Sequence, residues 1–172
     1  MNVSRRHLLQ TAAYASLGAA TLGIAHAAEP AVPPSALLGA WALETFVIEG
    51  AGGVEKPRFG PNPVGYLIYT PSGRMSAVLM GVHREKLAAP DGASSSHAEL
   101  ADSLGQFLSY AGRYEVRGNH VFHHVEVSVF TNLVGTTLER AFTLSGDLLT
   151  IRTLPPEIWG TSNRLTWRRT KA

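Results

Sequence analysis

Three histidines and a glutamate lie close together in the segment NHVFHHVEVSVFTN, residues 119–132. Imidazole and carboxylate groups bind metal ions and transfer protons, so His120, His123, His124 and Glu126 are the first candidates for chemistry in this chain. The Val and Phe residues between them are typical of a β-strand. The four side chains therefore form a metal site, an acid–base group or the ordinary polar side of a strand.

Side chains alternate between the two faces of a strand, and this alternation separates the two adjacent histidines. His123 shares its face with apolar residues only, whereas His124 and Glu126 lie together on a mixed face. The apolar neighbours of His123 are Val121, Val125, Val127 and Val129. Because a small barrel turns its apolar face inward, we expect His123 inside, and His124 with Glu126 on the outside or at the mouth.

The spacing of these residues does not favour a metal site. A zinc site on a strand needs two ligands on one face and a third ligand from elsewhere. His123 and His124 point to opposite faces, and His120 lies about 13 Å from His124 along the strand. His124 and Glu126 share a face, but the sequence supplies no third ligand beside them. We expect no metal and no cofactor, and we interpret His124 and Glu126 as a solvent-facing pair.

A histidine among valines requires a hydrogen-bond partner, because burying an unpaired polar ring is unfavourable. A tyrosine, a backbone group or a ligand must supply that partner. Alternation places the permanently charged guanidinium of Arg140 on an apolar face as well, where it needs an anion or an aromatic ring. The alternatives for Arg140 are an ion pair, for example with Glu126, or a position at the rim. The apolar residues on its face are Leu138, Phe142 and Leu144.

The elements that position these residues are mostly strands. Turn residues recur at short intervals after position 37, which is typical of an antiparallel β protein. One segment differs: Ser96 and Glu99 form a capping box, and apolar residues at helical spacing follow it. Besides the histidine-rich segment, the predicted strands are 40–49, 64–69, 74–80, 113–116, 137–144, 148–153 and 163–169. The sequence therefore predicts an all-β protein, a single eight-stranded antiparallel barrel with one short helix near residues 97–108.

Several stretches resemble a known family. They are LLGAWAL, FGPNPVGYLIYTPSGRMSA, YAGRYEVRGNHVFHHVEVS, NLVGTTLERAFTLSGDLLTI and RLTWRR, in that order. Together they resemble the bacterial lipocalin-like domain family over nearly all of residues 37–169. The chain departs from that pattern at Thr131-Asn132-Leu133, where the family is expected to show Pro-Asn-Trp.

The resemblance implies a calycin-type barrel of eight strands with an apolar cavity, and it supplies no reaction. It also implies that Trp41 packs against an arginine of the last strand. The sequence offers Arg164, Arg168 and Arg169 for this role, and Arg168 is the predicted structural partner.

The first 28 residues have the layout of a secretory signal, with a basic start, an apolar stretch and the small-residue site Ala25-His26-Ala27. Arg5 and Arg6 resemble the arginine pair of a twin-arginine export signal. Whether the signal is cleaved or kept as an anchor stays open, and we expect a periplasmic or secreted protein. The predicted divisions are a signal peptide at 1–28, an extended linker at 29–36 and one barrel domain at 37–170.

Charge and cysteine content exclude several classes of protein. The chain has 15 Lys and Arg against 13 Asp and Glu, and removal of Arg5 and Arg6 with the signal leaves 13 of each. No basic cluster with interleaved aromatic residues is present, so nucleic acid is not an expected partner. The absence of cysteine excludes disulfides. The expected partners are a small hydrophobic or aromatic ligand and the export machinery, with no stable membrane insertion after processing.

Our first hypothesis is a barrel that binds a small, mostly apolar molecule in its cavity, because an apolar cavity with a few polar groups is the usual form of such sites. The alternative is a cofactor-independent isomerase or cyclase, with His123 as proton shuttle and Arg140 as anion stabiliser. A third hypothesis is a barrel filled by its own side chains that serves as an interaction module. Tyr66 carries a further hydroxyl that could line the cavity. The predicted ligand-binding residues are His123, Arg140, Tyr69, Tyr110 and Tyr114.

The arginine pair generates a prediction about export. Replacing both residues, Arg5→Lys with Arg6→Lys, should leave the precursor in the cytoplasm, because the export receptor reads the arginine pair. Cell fractionation and immunoblotting measure this distribution. A double variant that is still processed near Ala27 and recovered from the periplasm would show that the signal is of another type.

Overall fold

The structure is a computed structural model that describes residues 33–50, 53–92, 94–154 and 162–171. The predicted signal peptide, with Arg5 and Arg6, lies outside the described residues. Among those that are described, no helix has the length and apolar character needed to cross a membrane.

Within these ranges the chain forms nine strands and one α-helix, together with two short 3-10 turns at Pro34–Leu37 and Thr131–Leu133. The helix α1 is His97–Gly105. The strands are β1 Gly39–Glu49, β2 Glu55–Pro57, β3 Val64–Tyr69, β4 Arg74–Met80, β5 Phe107–Arg117, β6 His120–Ser128, β7 Thr137–Ser145, β8 Leu148–Thr153 and β9 Ser162–Arg169.

Strand β1 closes the sheet into a barrel by pairing on both of its sides. Its first residues pair with β3, and the segment from Trp41 to Glu49 pairs with β9. From β3 to β9 each strand pairs antiparallel with the next one along the chain. Strand β2 is only a short addition to the end of β1. The predicted closed antiparallel barrel of eight strands is therefore confirmed for the described residues.

The helix begins as predicted and ends earlier. The Ser96 hydroxyl accepts from the backbone N–H of Glu99, and the Glu99 carboxylate accepts from the backbone N–H of Ser96, so the capping box is confirmed. The helix ends at Gly105, whereas the sequence predicted it to residue 108. Leu108 instead lies in β5, where it pairs in register with Leu79 and is buried. Strand pairing buries this leucine, and no residue of the helix is buried.

A β-bulge reverses the alternation of β6 after Val125. Gly112 of β5 pairs with Val125, but the preceding Ala111 pairs with Val127, so Glu126 is the extra residue. The expectation that Val127 faces inward is wrong, because its side chain is 67% exposed. The bulge requires glycine at position 112, where a Cβ atom would lie 1.9 Å from the carbonyl oxygen of His124.

Trp41 packs at the junction between the first strand of the barrel, β1, and the last strand, β9. Its side chain is fully buried, and its indole N–H donates to the carbonyl oxygen of Leu37 over 2.8 Å. The Arg169 guanidinium lies 4.0 Å from the centre of the indole ring. The prediction of Arg168 as the partner is wrong, because Trp41 pairs in register with Arg169. Arg168 points outward and forms an ion pair with Glu44.

Truncation of Trp41 should destabilise the barrel. We expect Trp41→Ala to lower the free energy of unfolding by about 3–5 kcal/mol, because it leaves a cavity in the core. Urea unfolding followed by circular dichroism measures the difference. Arg168→Ala is the control, since it removes an exposed arginine of the same strand, and it should change stability little. Equal effects of the two substitutions would contradict the role assigned to Trp41.

Candidate functional site

The barrel encloses a cavity whose wall is mostly apolar. Its volume is about 50 Å³, and it is partly open to solvent. Its polar lining residues are Tyr110, His123, Arg140, Thr153, Asn163 and Trp167. Its apolar lining residues are Phe46, Leu67, Ala77, Leu79, Leu108, Leu133, Leu138, Ile151 and Leu165.

His123 lies between two tyrosines. The ring is only 1% exposed, and its Nε2 atom is 2.7 Å from the hydroxyl of Tyr69. Its Nδ1 atom is 3.0 Å from the hydroxyl of Tyr110. Burial lowers the pKa of His123 to about 3, and the positive charge of Arg140 acts in the same direction. The imidazole is therefore neutral at physiological pH.

A neutral imidazole carries one N–H group and one bare nitrogen, so one tyrosine donates to the ring and the other accepts from it. Tyr69 is 1% exposed, and its hydroxyl has no other partner among the described residues. If Tyr69 accepted from the ring, its own O–H would be buried without an acceptor, which is unfavourable. We therefore assign Tyr69 as the donor to Nε2. The Nδ1–H group of His123 then donates to Tyr110, whose O–H remains free.

Both tyrosines are held in their protonated form. Burial raises the pKa of Tyr69 well above its ordinary value, and it raises the pKa of Tyr110 as well. The charge of Arg140 opposes this effect on both hydroxyls without cancelling it. The cluster is therefore a neutral relay of hydrogen bonds that ends at Tyr110 on the cavity wall.

Arg140 brings a positive charge to the same cavity. One guanidinium N–H donates to the carbonyl oxygen of its neighbour Glu139 over 2.9 Å. No carboxylate of the described residues forms an ion pair with Arg140, and Glu126 pairs with Arg74 and Arg113 instead. The proposed ion pair between Arg140 and Glu126 is therefore absent from the described structure, and the other guanidinium N–H groups have no partner there.

Trp167 adds a polar group that sequence reasoning missed. The indole lines the cavity, is 2% exposed, and its N–H has no hydrogen-bond partner among the described residues. The alternation of Asn163, Leu165 and Trp167 along β9 could have placed this side chain inside. Whether the indole N–H has a hydrogen-bond partner depends on the residues around the ring, and these cannot be read from the sequence.

Residues 38–170 match the family model of the lipocalin-like domain. The chain belongs to the lipocalin-like domain family. This match covers every strand of the barrel and all of the residues that line its cavity.

Similar proteins occur in a fungus and in a bacterium. A 4'-hydroxy-3'-methoxypropiophenone carrier protein of Aspergillus oryzae is 37% identical over 87 residues, which is 44% of this chain and 78% of the carrier. The crystal structure of a lipocalin-like protein from Bacteroides uniformis aligns with a TM-score of 0.43 and 15% identity. That alignment covers 78% of this chain and 98% of the other.

In this lipocalin-like barrel, three of the five predicted ligand-binding residues line the cavity: His123, Arg140 and Tyr110. Tyr69 lies behind them as the hydrogen-bond partner of His123. Tyr114 lies further back, where its ring packs 4.7 Å from that of Tyr69 and its hydroxyl donates to the carbonyl oxygen of Thr70. Tyr69 therefore supports His123, and Tyr114 supports Tyr69.

The other histidines of β6 lie on the outer surface of the lipocalin-like barrel. The Nδ1 atom of His124 is 3.0 Å from the hydroxyl of Thr137, and that of His120 is 2.6 Å from a carboxylate oxygen of Glu139. Within the described ranges, no three histidine or acidic side chains come together in a way that could hold a metal ion. Of the three histidines in β6, His123 therefore lines the cavity, and His120 and His124 lie on the outer surface.

The buried imidazole should make stability depend on pH. The unfolded chain takes up a proton at His123 near pH 6.5 and the native state only near pH 3, so protonation favours unfolding. Stability should therefore fall as the pH drops from 6.5 towards 3, by up to about 1.4 kcal/mol per pH unit. His123→Phe should remove this contribution. Urea unfolding at a series of pH values measures it.

The matched control for this prediction is His124→Phe, which changes the adjacent histidine on the outer face. It should keep the pH dependence of the unmodified protein. An identical change in both variants would contradict the assignment of the effect to the buried ring.

Proposed function

We propose that this protein is an exported carrier that binds a small, mostly apolar, aromatic molecule inside its barrel. The observation that carries the proposal is the cavity itself, which has an apolar wall and a few convergent polar groups. Sites of this form are the usual ones for small molecules, because the apolar wall supplies affinity and the polar groups fix orientation.

The fungal relative supports this choice of ligand class. It is a carrier protein for 4'-hydroxy-3'-methoxypropiophenone, a single aromatic ring that bears a hydroxyl, a methoxy group and a ketone. A compound of this kind suits the present cavity, since its ring would contact leucines and its oxygens would meet Tyr110 or Arg140. The space now open is narrow, so we expect side chains of the wall to move when the ligand enters.

Export is part of the proposal and depends on the sequence alone. The arginine pair and the apolar stretch behind it support transport through the twin-arginine route to the periplasm or beyond. A carrier in that location would take up its ligand outside the cytoplasm.

The position of His123 supports binding over catalysis by its imidazole. Both ring nitrogens face tyrosine hydroxyls, and the depressed pKa makes the ring a weak base. An isomerase or cyclase working here would have to exchange its proton through Tyr110. Incubation of the protein with the bound compound, followed by mass spectrometry, would reveal such a conversion.

Filling the cavity should abolish binding. Ala77 is 2% exposed and lines the cavity, whereas the next residue of β4, Val78, points outward and is 42% exposed. We expect Ala77→Leu to weaken the binding of 4'-hydroxy-3'-methoxypropiophenone at least about tenfold, because the larger side chain occupies the ligand's space. Quenching of tryptophan fluorescence and native mass spectrometry measure binding.

Val78→Leu is the control and should bind as the unmodified protein does. Circular dichroism should confirm that both variants are folded. Equal affinity in the two variants would place the ligand outside the barrel, and the proposal would then be wrong.

A further inference from the structure

The described side chains that line the cavity include a positive charge and no negative charge. Among the described lining residues there is no carboxylate, and one residue, Arg140, is permanently charged. The titratable or charged side chains that face the cavity are Tyr110, His123 and Arg140. A neutral His123 adds no charge, so the interior has a net positive charge.

The hydrogen-bond pattern directs donors towards the ligand. The buried position of Tyr69 makes it the donor to His123, and the ring in turn donates to Tyr110. Tyr110 lines the cavity, so its O–H group is then free to donate to a ligand there. Arg140 offers further N–H groups that have no partner among the described residues.

We propose that the ligand is bound as an anion, with an ionised oxygen held by the Arg140 guanidinium and the Tyr110 hydroxyl. This inference rests on the proposed carrier function and names the chemical form of the ligand. A half-buried guanidinium with no carboxylate partner among the described residues favours an anion, and hydrogen bonds to ionised oxygen are about twice as strong as neutral ones. Phenolate and carboxylate groups share this chemistry. A phenol would lose its proton to bulk water as it binds.

Trp167 supplies a second, separate contact. Its register partner on β8 is Leu149, whereas that of Arg140 is Thr153, four residues along the same strand. Four residues span about 13 Å, so the two backbones lie in different layers of the barrel. The unpaired indole N–H therefore suits a second, neutral acceptor oxygen on the ligand, such as a ketone.

Three probes test the charge of the bound ligand. The first is 4'-hydroxy-3'-methoxypropiophenone, whose phenol ionises and whose phenolate absorbs at longer wavelength than the phenol. The second is its methyl ether, 3',4'-dimethoxypropiophenone, which has nearly the same shape and cannot ionise. The third is 4-propylbenzoate, a carboxylate of similar size. Binding is measured by tryptophan quenching, and the absorption spectrum reports the form of the bound phenol.

At a pH below the phenol's own pKa, we expect the bound phenol to show the long-wavelength phenolate spectrum. Its affinity should rise up to about tenfold per pH unit until that pKa is reached, because only the ionised form binds strongly. The ether should bind at least about tenfold more weakly and without pH dependence. Strong binding of 4-propylbenzoate would mean that a carboxylate serves as well, and preference for the phenol would assign the site to phenolates.

Arg140 is the residue on which the charge preference depends. Arg140→Gln should weaken binding of the phenol about 10- to 100-fold, remove its long-wavelength spectrum, and leave the ether almost unaffected. Arg140→Lys should restore the spectrum by restoring the charge. The control is Arg152→Gln, which removes an exposed arginine of β8 that pairs with Glu49 on the outer surface.

Trp167→Phe tests the second contact. The substitution should weaken binding of 4'-hydroxy-3'-methoxypropiophenone more than binding of 2-methoxy-4-propylphenol, which lacks the ketone oxygen. Equal weakening of both compounds would show that the indole N–H does not contact the ligand.

The outcomes separate this inference from the proposed function. Equal affinity for phenol and ether, with no spectral shift and no effect of Arg140→Gln, would overturn anion binding and leave the carrier function standing. Failure of all the probes to bind would overturn both. A spectral shift that disappears in Arg140→Gln and survives in Arg152→Gln would support both.

Discussion

The two-sided pairing of β1 is the constraint on which the rest of this structure depends. A strand that pairs with β3 at its beginning and with β9 over most of its length leaves the eight-stranded sheet without a free edge. The buried indole of Trp41, with Arg169 above it, packs at this junction. Closure buries the side chains that point inward, and the shifted pKa values of His123, Tyr69 and Tyr110 follow from that burial.

Inside the closed barrel, three titratable side chains are held in their neutral forms. His123 stays unprotonated, and Tyr69 and Tyr110 stay protonated, because burial disfavours the charged form of each group. Arg140 cannot become neutral in this way, and the described part of the chain gives it no carboxylate. The anionic ligand that we propose would bring the missing negative charge, and its apolar remainder would contact the leucines of the wall.

The bulge at Gly112 determines which side chains of β6 face the interior of the barrel. It leaves His123 and Val125 inside and turns Val127 outward. Glu126, displaced by the bulge, pairs with two arginines on the surface. The glycine therefore determines that Val127, and not Glu126, is the residue whose side changes from the one that simple alternation predicts.

The sequence by itself determined most of the strands, the helix start and the inward face of His123, but it missed β2 and the first six residues of β5. These features follow from alternation, turn residues and a capping box, which are local patterns along the chain. Arg140 was placed on an inward face by the same alternation, and the tyrosine partner of His123 was one of the alternatives that the sequence left open.

Tertiary structure alone decided the features that depend on pairing between distant segments. The bulge places Val127 on the outer face, and pairing with β4 places Leu108 in β5 and not in the helix. The register between β1 and β9 makes Arg169, and not Arg168, the partner of Trp41. The direction of the hydrogen bonds through His123 and the unpaired N–H of Trp167 belong to the same class. The physical reason is that strand register and hydrogen-bond partners depend on residues that are far apart in the chain. A local sequence pattern gives no information about the relative positions of such residues.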